Sequence, residues 1–200
     1  MAGTGRTSTV RTSTGREGGS ERGDIVDLLR GRNGQIREAF QAVAAAEGPD
    51  RAALLDRLVT HLAVHQAVTQ ELVRPLVERH RPPAGTVGCA PPGWTEVMGR
   101  LTRLADMDVD DNDFVVQLLG IARIVTLHTE AQERFDLPLL RRAIPEAELR
   151  ALADLLVSAE TVAWAGARAI QAQVPSPDAL GLADVMAALA GTVRMVRRAQ

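Results

Sequence analysis

Two hundred residues, 46% hydrophobic and with a net charge of −2, make a chain long enough to bury a sizeable core. The balanced charge argues against phosphate-backbone binding, and three Phe, two Trp and no Tyr leave little for base stacking, so no nucleic-acid partner is expected. A single cysteine, Cys89, excludes an intramolecular disulfide, and no stretch reads as a secretory leader or a membrane span, so the expectation is a cytoplasmic protein with no membrane partner.

Residues 1–23 are Gly, Ser, Thr and Arg with almost no apolar anchor, the composition of a disordered N-terminal tail. Asp24 reads as the cap of a first helix with Val26, Leu29, Asn33, Ile36, Phe40 and Val43 on one seam, ending at Gly48-Pro49. Asn33 is the polar member of that seam. A second helix runs from about Asp50 to Arg79, and a Pro/Gly-rich loop, HRPPAGTVGCAPPG, follows it. The third spans about Trp94 to Met107, with Trp94, Val97, Leu101 and Leu104 inward. The acidic run DVDDNDF turns the chain into a fourth helix that ends near Arg142, with a kink expected at Pro138. Pro145 starts a fifth helix with Leu149, Leu152, Leu156, Val162 and Ile170 on its stripe. VPSPD breaks that helix, and a last amphipathic segment carries Leu182, Val185, Met186, Leu189, Val193 and Val196. No strand alternation is present, so the fold class expected is all-α.

Two seams carry matched polar interruptions. On the second helix, Leu55, Leu58, Leu62, His65, Thr69, Leu72 and Leu76 step by threes and fours. On the fourth, Phe114, Leu118, Ile121, Val125, His128, Gln132, Phe135 and Leu139 do the same. Each helix thus directs one His and one neutral polar group, four residues apart, inward. A buried polar layer costs stability unless its groups are bonded, so it calls for an explanation. Glu71, Glu130 and Glu133 lie one or two residues off the seams and are expected to face solvent or a flanking helix.

From Asp24 to Ala143 the chain resembles the hemerythrin HHE family of four-helix bundles, which bind a non-haem di-iron centre. DIVDLLRGRNGQI is similar to that family's first helix, LAVHQAVTQELVRP to its second and LHTEAQERFDLPLL to its fourth. The resemblance implies an up-down four-helix bundle over residues 24–143, with residues 144–200 as a C-terminal helical extension packing on it. It also implies a damaged metal site. Asn33 stands where the family has a His, His65 matches a His, and Thr69 replaces the Glu that follows it. His128 is likewise retained while Gln132 replaces its Glu, and Trp94 falls where the third helix supplies a His. Bridging carboxylates offset the charge of two ions, so their loss implies that no di-iron cofactor is kept.

Three functions follow as expectations. In the first, the former metal cavity binds a small molecule, with His65 and His128 as acid and base and Asn33, Thr69, Trp94 and Gln132 orienting the ligand. The same residues would serve a binder or an enzyme. In the second, His61, His65 and His128 hold a single iron ion or a haem, since two imidazoles suffice for axial ligation. The third is a non-enzymatic interaction module, monomeric or homodimeric, using the amphipathic segment from Leu180 to Val196.

Overall fold

A computed structural model describes residues 23–81, 93–173 and 182–198. Six helices run through them, with no strand among the described residues: α1 (Ile25–Ala45), α2 (residues 48–80), α3 (Trp94–Ala105), α4 (Phe114–Ala143), α5 (Glu146–Gln173) and α6 (Leu182–Arg198). The expected tail, apart from Gly23, lies outside the described residues, as do most of the HRPPAGTVGCAPPG loop with Cys89 and the VPSPD break.

Asp24 caps α1 as its chemistry suggests, accepting hydrogen bonds from the backbone N–H groups of Val26 (2.8 Å) and Asp27 (3.1 Å). Arg141 at the end of α4 bonds Asp24 and Asp27, tying the C-terminal turn of one helix to the N-terminal turn of the other. Gly48 opens α2 at a φ of 51°, a left-handed conformation that glycine adopts without steric cost, and Pro49 follows in the first turn. The acidic turn pins that corner: Asp110 accepts from the Gly48 N–H at 3.2 Å. Asp113 precedes α4 but makes no side-chain cap bond.

Helices α2 and α4 share a feature that the heptad reading does not anticipate. Each contains one π-turn, Thr69–Val73 in α2 and Gln132–Asp136 in α4, where the backbone bond closes over five residues: Arg74 N–H to Thr69 C=O and Leu137 N–H to Gln132 C=O. Each turn begins at the polar seam residue and precedes a proline, Pro75 or Pro138. A proline ring clashes with the carbonyl four residues back, and the wide turn relieves the clash, so the bend expected at Pro138 is absorbed inside a continuous helix. The extra residue rotates the seam beyond it. Phe135, expected inside, is 59% exposed, while Leu137 and Leu140 are buried. In α2, Leu76 is only half-buried, and Val73 and Val77 fill the core with Leu72.

Two separate apolar clusters result. One joins Ile36, Phe40 and Val43 of α1 to Leu55, Leu58 and Leu62 of α2, Val97, Leu101 and Leu104 of α3, and Phe114, Leu118, Ile121 and Val125 of α4. The other joins the opposite ends of α1, α2 and α4 to Leu149 and Leu156 of α5 and Leu189 and Val193 of α6. Along α1 and α4 the polar residues fall between the two clusters, while on α2 His65 and Thr69 lie among Ala63, Val64, Ala67 and Val68 of the second.

Candidate functional site

The polar layer begins with Asn33, which is fully buried on α1. Its Nδ2 donates to Gln132 Oε1 at 3.2 Å and to Glu133 Oε1 at 3.0 Å, and Glu133 also accepts from Arg37 at 3.2 Å. Glu133 therefore faces a neighbouring helix, α1. The π-turn presents consecutive residues, Gln132 and Glu133, to the same partner helix. Gln132 Oε1 accepts from Asn33, and no described residue bonds the Gln132 amide nitrogen. Glu71 does face a flanking helix: it pairs with Arg194 of α6, and Arg197 donates to its backbone carbonyl at 2.7 Å. That carbonyl lies four residues before Pro75, which has no N–H to offer it.

Trp94 is half-buried at the start of α3, and its Nε1–H donates to His128 Nε2 at 3.1 Å with the rings edge to face. The neutral His128 ring must then carry its proton on Nδ1. That atom is buried and has no partner, and the same holds for Thr69 Oγ1 and Asn33 Oδ1. Burial depresses the pKa of His128, and Asp136 opposes that shift. Asp136 in turn is pushed up by burial, against the pull of Arg81, whose guanidinium lies 3.3 Å away, and of His128.

These side chains border a cleft of about 570 Å³ between α2, the start of α3 and the second π-turn. Thr69, Trp94, His128 and Gln132 all line it, with Gln66 and Gln70, while Val73 and Val77 form an apolar wall. The rim is charge-balanced, since Arg74 pairs with Glu78 at 2.7 Å and Arg81 with Asp136. Four of the expected site residues thus meet on one cavity, and Asn33 supports Gln132 from behind. His65 does not border the cleft. It is 4% exposed, makes no hydrogen bond to a described residue, and burial, with smaller contributions from His61, His128 and Arg32, brings its pKa down to about 3. His61, half-buried, leans on Trp164 of α5 at 5.8 Å between ring centroids, and burial lowers its pKa as well. Beside it, Arg32 holds the buried carboxylate of Glu160 with paired bonds of 2.9 and 2.7 Å.

Asp136, Arg81, Gln66 and Gln70 are site residues that seam periodicity misses. The matched spacing of HQAVTQELVRP and HTEAQERFDLP, each with a Pro six residues after the polar position, is the signal that could have found the π-turns and with them Asp136. Among the described residues, no three side chains of His, Cys, Asp or Glu come together in a way that could hold a metal ion. His128 Nε2 already accepts from Trp94, so the donors present do not fit a di-iron centre, and His61, His65 and His128 do not converge on one ion. No family model, curated protein or solved structure matches this chain.

Proposed function

We propose that α1–α4 form a hemerythrin-like bundle that has lost its di-iron centre, and that the cleft at Thr69, Trp94, His128 and Gln132 binds a small organic molecule. The observation that carries this reading is the set of unpartnered polar groups at one cavity. The Thr69 hydroxyl and His128 Nδ1 are buried without partners, and no described residue bonds the amide nitrogen of the cleft-lining Gln132. Thr69 Oγ1 and His128 Nδ1 are closed to solvent, and a rotation of either side chain toward the cavity makes it a donor there beside the Gln132 amide, so the complementary ligand presents acceptor oxygens: a carboxylate, an amide or a ketone. Leaving such groups unpaired costs about 1–3 kcal/mol each, which a ligand returns on binding. The volume, about 570 Å³, lies within the range of ordinary ligand pockets, and the balanced rim favours a molecule of low net charge. His128, neutral and with its proton on Nδ1, serves as a hydrogen-bond donor. His65 stays neutral behind the site, where it shapes the layer.

A thermal-shift and ligand-observed NMR screen of small oxygen-bearing molecules tests the reading. Hits are expected to quench Trp94 fluorescence in a Trp164→Phe background and to lose at least about tenfold in affinity in Thr69→Val or Gln132→Leu. Hits that bind both variants unchanged, or a screen without hits in which Thr69→Val only raises stability, would refute it.

A further inference from the structure

Helix α4 keeps an apolar outer face. Away from its buried stripe, Val116, Leu119, Leu127 and Phe135 are 65%, 53%, 49% and 59% exposed. By length and composition α4 could cross a membrane, and only 28% of its apolar window is buried. An outward helix face in water normally carries charge, and a contiguous apolar one marks a contact surface. Three charged residues lie on or beside it: Arg123 and Glu130, both exposed and neither paired with a described residue, and Arg134, exposed, whose guanidinium sits 5.4 Å over the Phe135 ring.

We propose that this face joins two copies of the chain, with α4 antiparallel to α4 of the second copy about a two-fold axis at Leu127. Helical geometry places the groups. At 1.5 Å per residue, Arg123 sits about 6 Å before Leu127 and Glu130 about 4.5 Å after it, and seven residues return to nearly the same angle around the helix. The two-fold therefore sets Arg123 of each copy beside Glu130 of the other, within about 1.5 Å of the same height and on the same flank, twice over. Leu127 meets its own counterpart. Phe135 lies about 12 Å beyond the axis and Gly120 about 10.5 Å before it, so the ring of one copy reaches the height of Gly120 of the other. A Cβ built on Gly120 would meet nothing within 4 Å, so the position is open to receive a ring.

Arg123 and Glu130, of opposite sign and straddling an apolar centre, are complementary to themselves across a two-fold axis, which a surface of single charge cannot match at both positions. Residues 1–22 hold only Met1, Ala2 and Val10 as apolar residues, too few to cover the face.

Sedimentation velocity and light scattering of the full chain, from about 1 to about 100 µM, test the proposal. The expected result is a species of twice 21.4 kDa. Arg123→Glu and Glu130→Arg are each expected to weaken the dimer at least about tenfold, and the double exchange R123E/E130R to restore it. Circular dichroism checks that the variants fold, and Leu127→Ser, expected to give a monomer, is an independent disruption. A monomer at every concentration overturns the proposal. So does a dimer indifferent to both reversals, or a monomer that floats with phosphatidylcholine vesicles.

Discussion

His65 is enclosed with no hydrogen bond to a described residue, and its burial fixes both its charge and its contribution to stability. Its folded pKa of about 3 lies below the ordinary value of 6.5, so between these values the unfolded chain binds a proton that the folded chain refuses. Stability is then greatest above about pH 6.5 and falls as the pH drops toward 3, by up to about 1.4 kcal/mol per pH unit for each such group. His61 and His128 are shifted in the same direction by burial and steepen the slope. Asp136, shifted upward, opposes it only at the acid end. Urea unfolding followed from about pH 7 to pH 5 is expected to show His65 alone removing about 2 kcal/mol. His65→Leu should keep the neutral-pH stability, because no hydrogen bond is lost and the position lies in an apolar stripe, and should flatten the profile. An unchanged slope in His65→Leu would mean that the ring is protonated in the folded protein.

The π-turns decide how α2 and α4 meet their neighbours. Such a turn amounts to one residue inserted into an α-helix, held here in front of Pro138. Deleting Arg134 together with Pro138→Ala should therefore heal α4 into a regular helix while keeping Leu137 and Leu140 inward. The melting temperature is expected to stay within about 4 °C of the parent, a change of about 1–2 kcal/mol. Deleting Arg123 instead turns every later residue by about 100° and should abolish folding. Comparing the two deletions by circular dichroism and melting tests this, and equal damage from both would exclude the insertion account. The same geometry explains what the sequence reveals. Periods of three and four place Asn33, Leu58, Leu62, His65, Leu118 and Val125 on inner faces, and all are buried. Periodicity assumes one angle per residue, so it fails after Thr69 and Gln132, where Phe135 turns out and Val73 turns in. Glu133 reaches Asn33 for the same reason. His65 and His128 share a layer by pattern, yet only His128 borders the cleft, because which side of a buried ring faces a cavity depends on its neighbours rather than on its spacing.

At the scale of the molecule, α5 and α6 complete a core. The second apolar cluster lies beyond the polar layer and contains Leu149, Leu156, Ala159 and Ala163 of α5 with Leu189 and Val193 of α6, packed on Val68 and Leu72 of α2. The alanines of α5 let helices approach closely, and the buried Glu160 is bonded by Arg32 of α1, so α5 is tied to the first helix by charge as well as by packing. Helix α6 then covers the π-turn of α2: Arg194 pairs with Glu71, and Arg197 supplies the donor that the Glu71 carbonyl lacks because of Pro75. Removing α6 takes away two fully buried side chains, uncovers the apolar surface they pack on and leaves that carbonyl without its donor. At about 1.5–3 kcal/mol per buried aliphatic side chain, the loss from Leu189 and Val193 alone is about 3–6 kcal/mol, a large share of an ordinary folding free energy. A chain ending at residue 175 is therefore expected to unfold at much lower urea. Arg197→Ala in the full chain should cost about 1 kcal/mol. Because α6 touches the turn that carries Thr69, the truncated chain should also lose ligand affinity where Leu127→Ser, on the exposed face of α4, does not. A truncation that leaves the urea midpoint unchanged would show that α6 is an appendage and that α1 to α5 hold the cleft unaided.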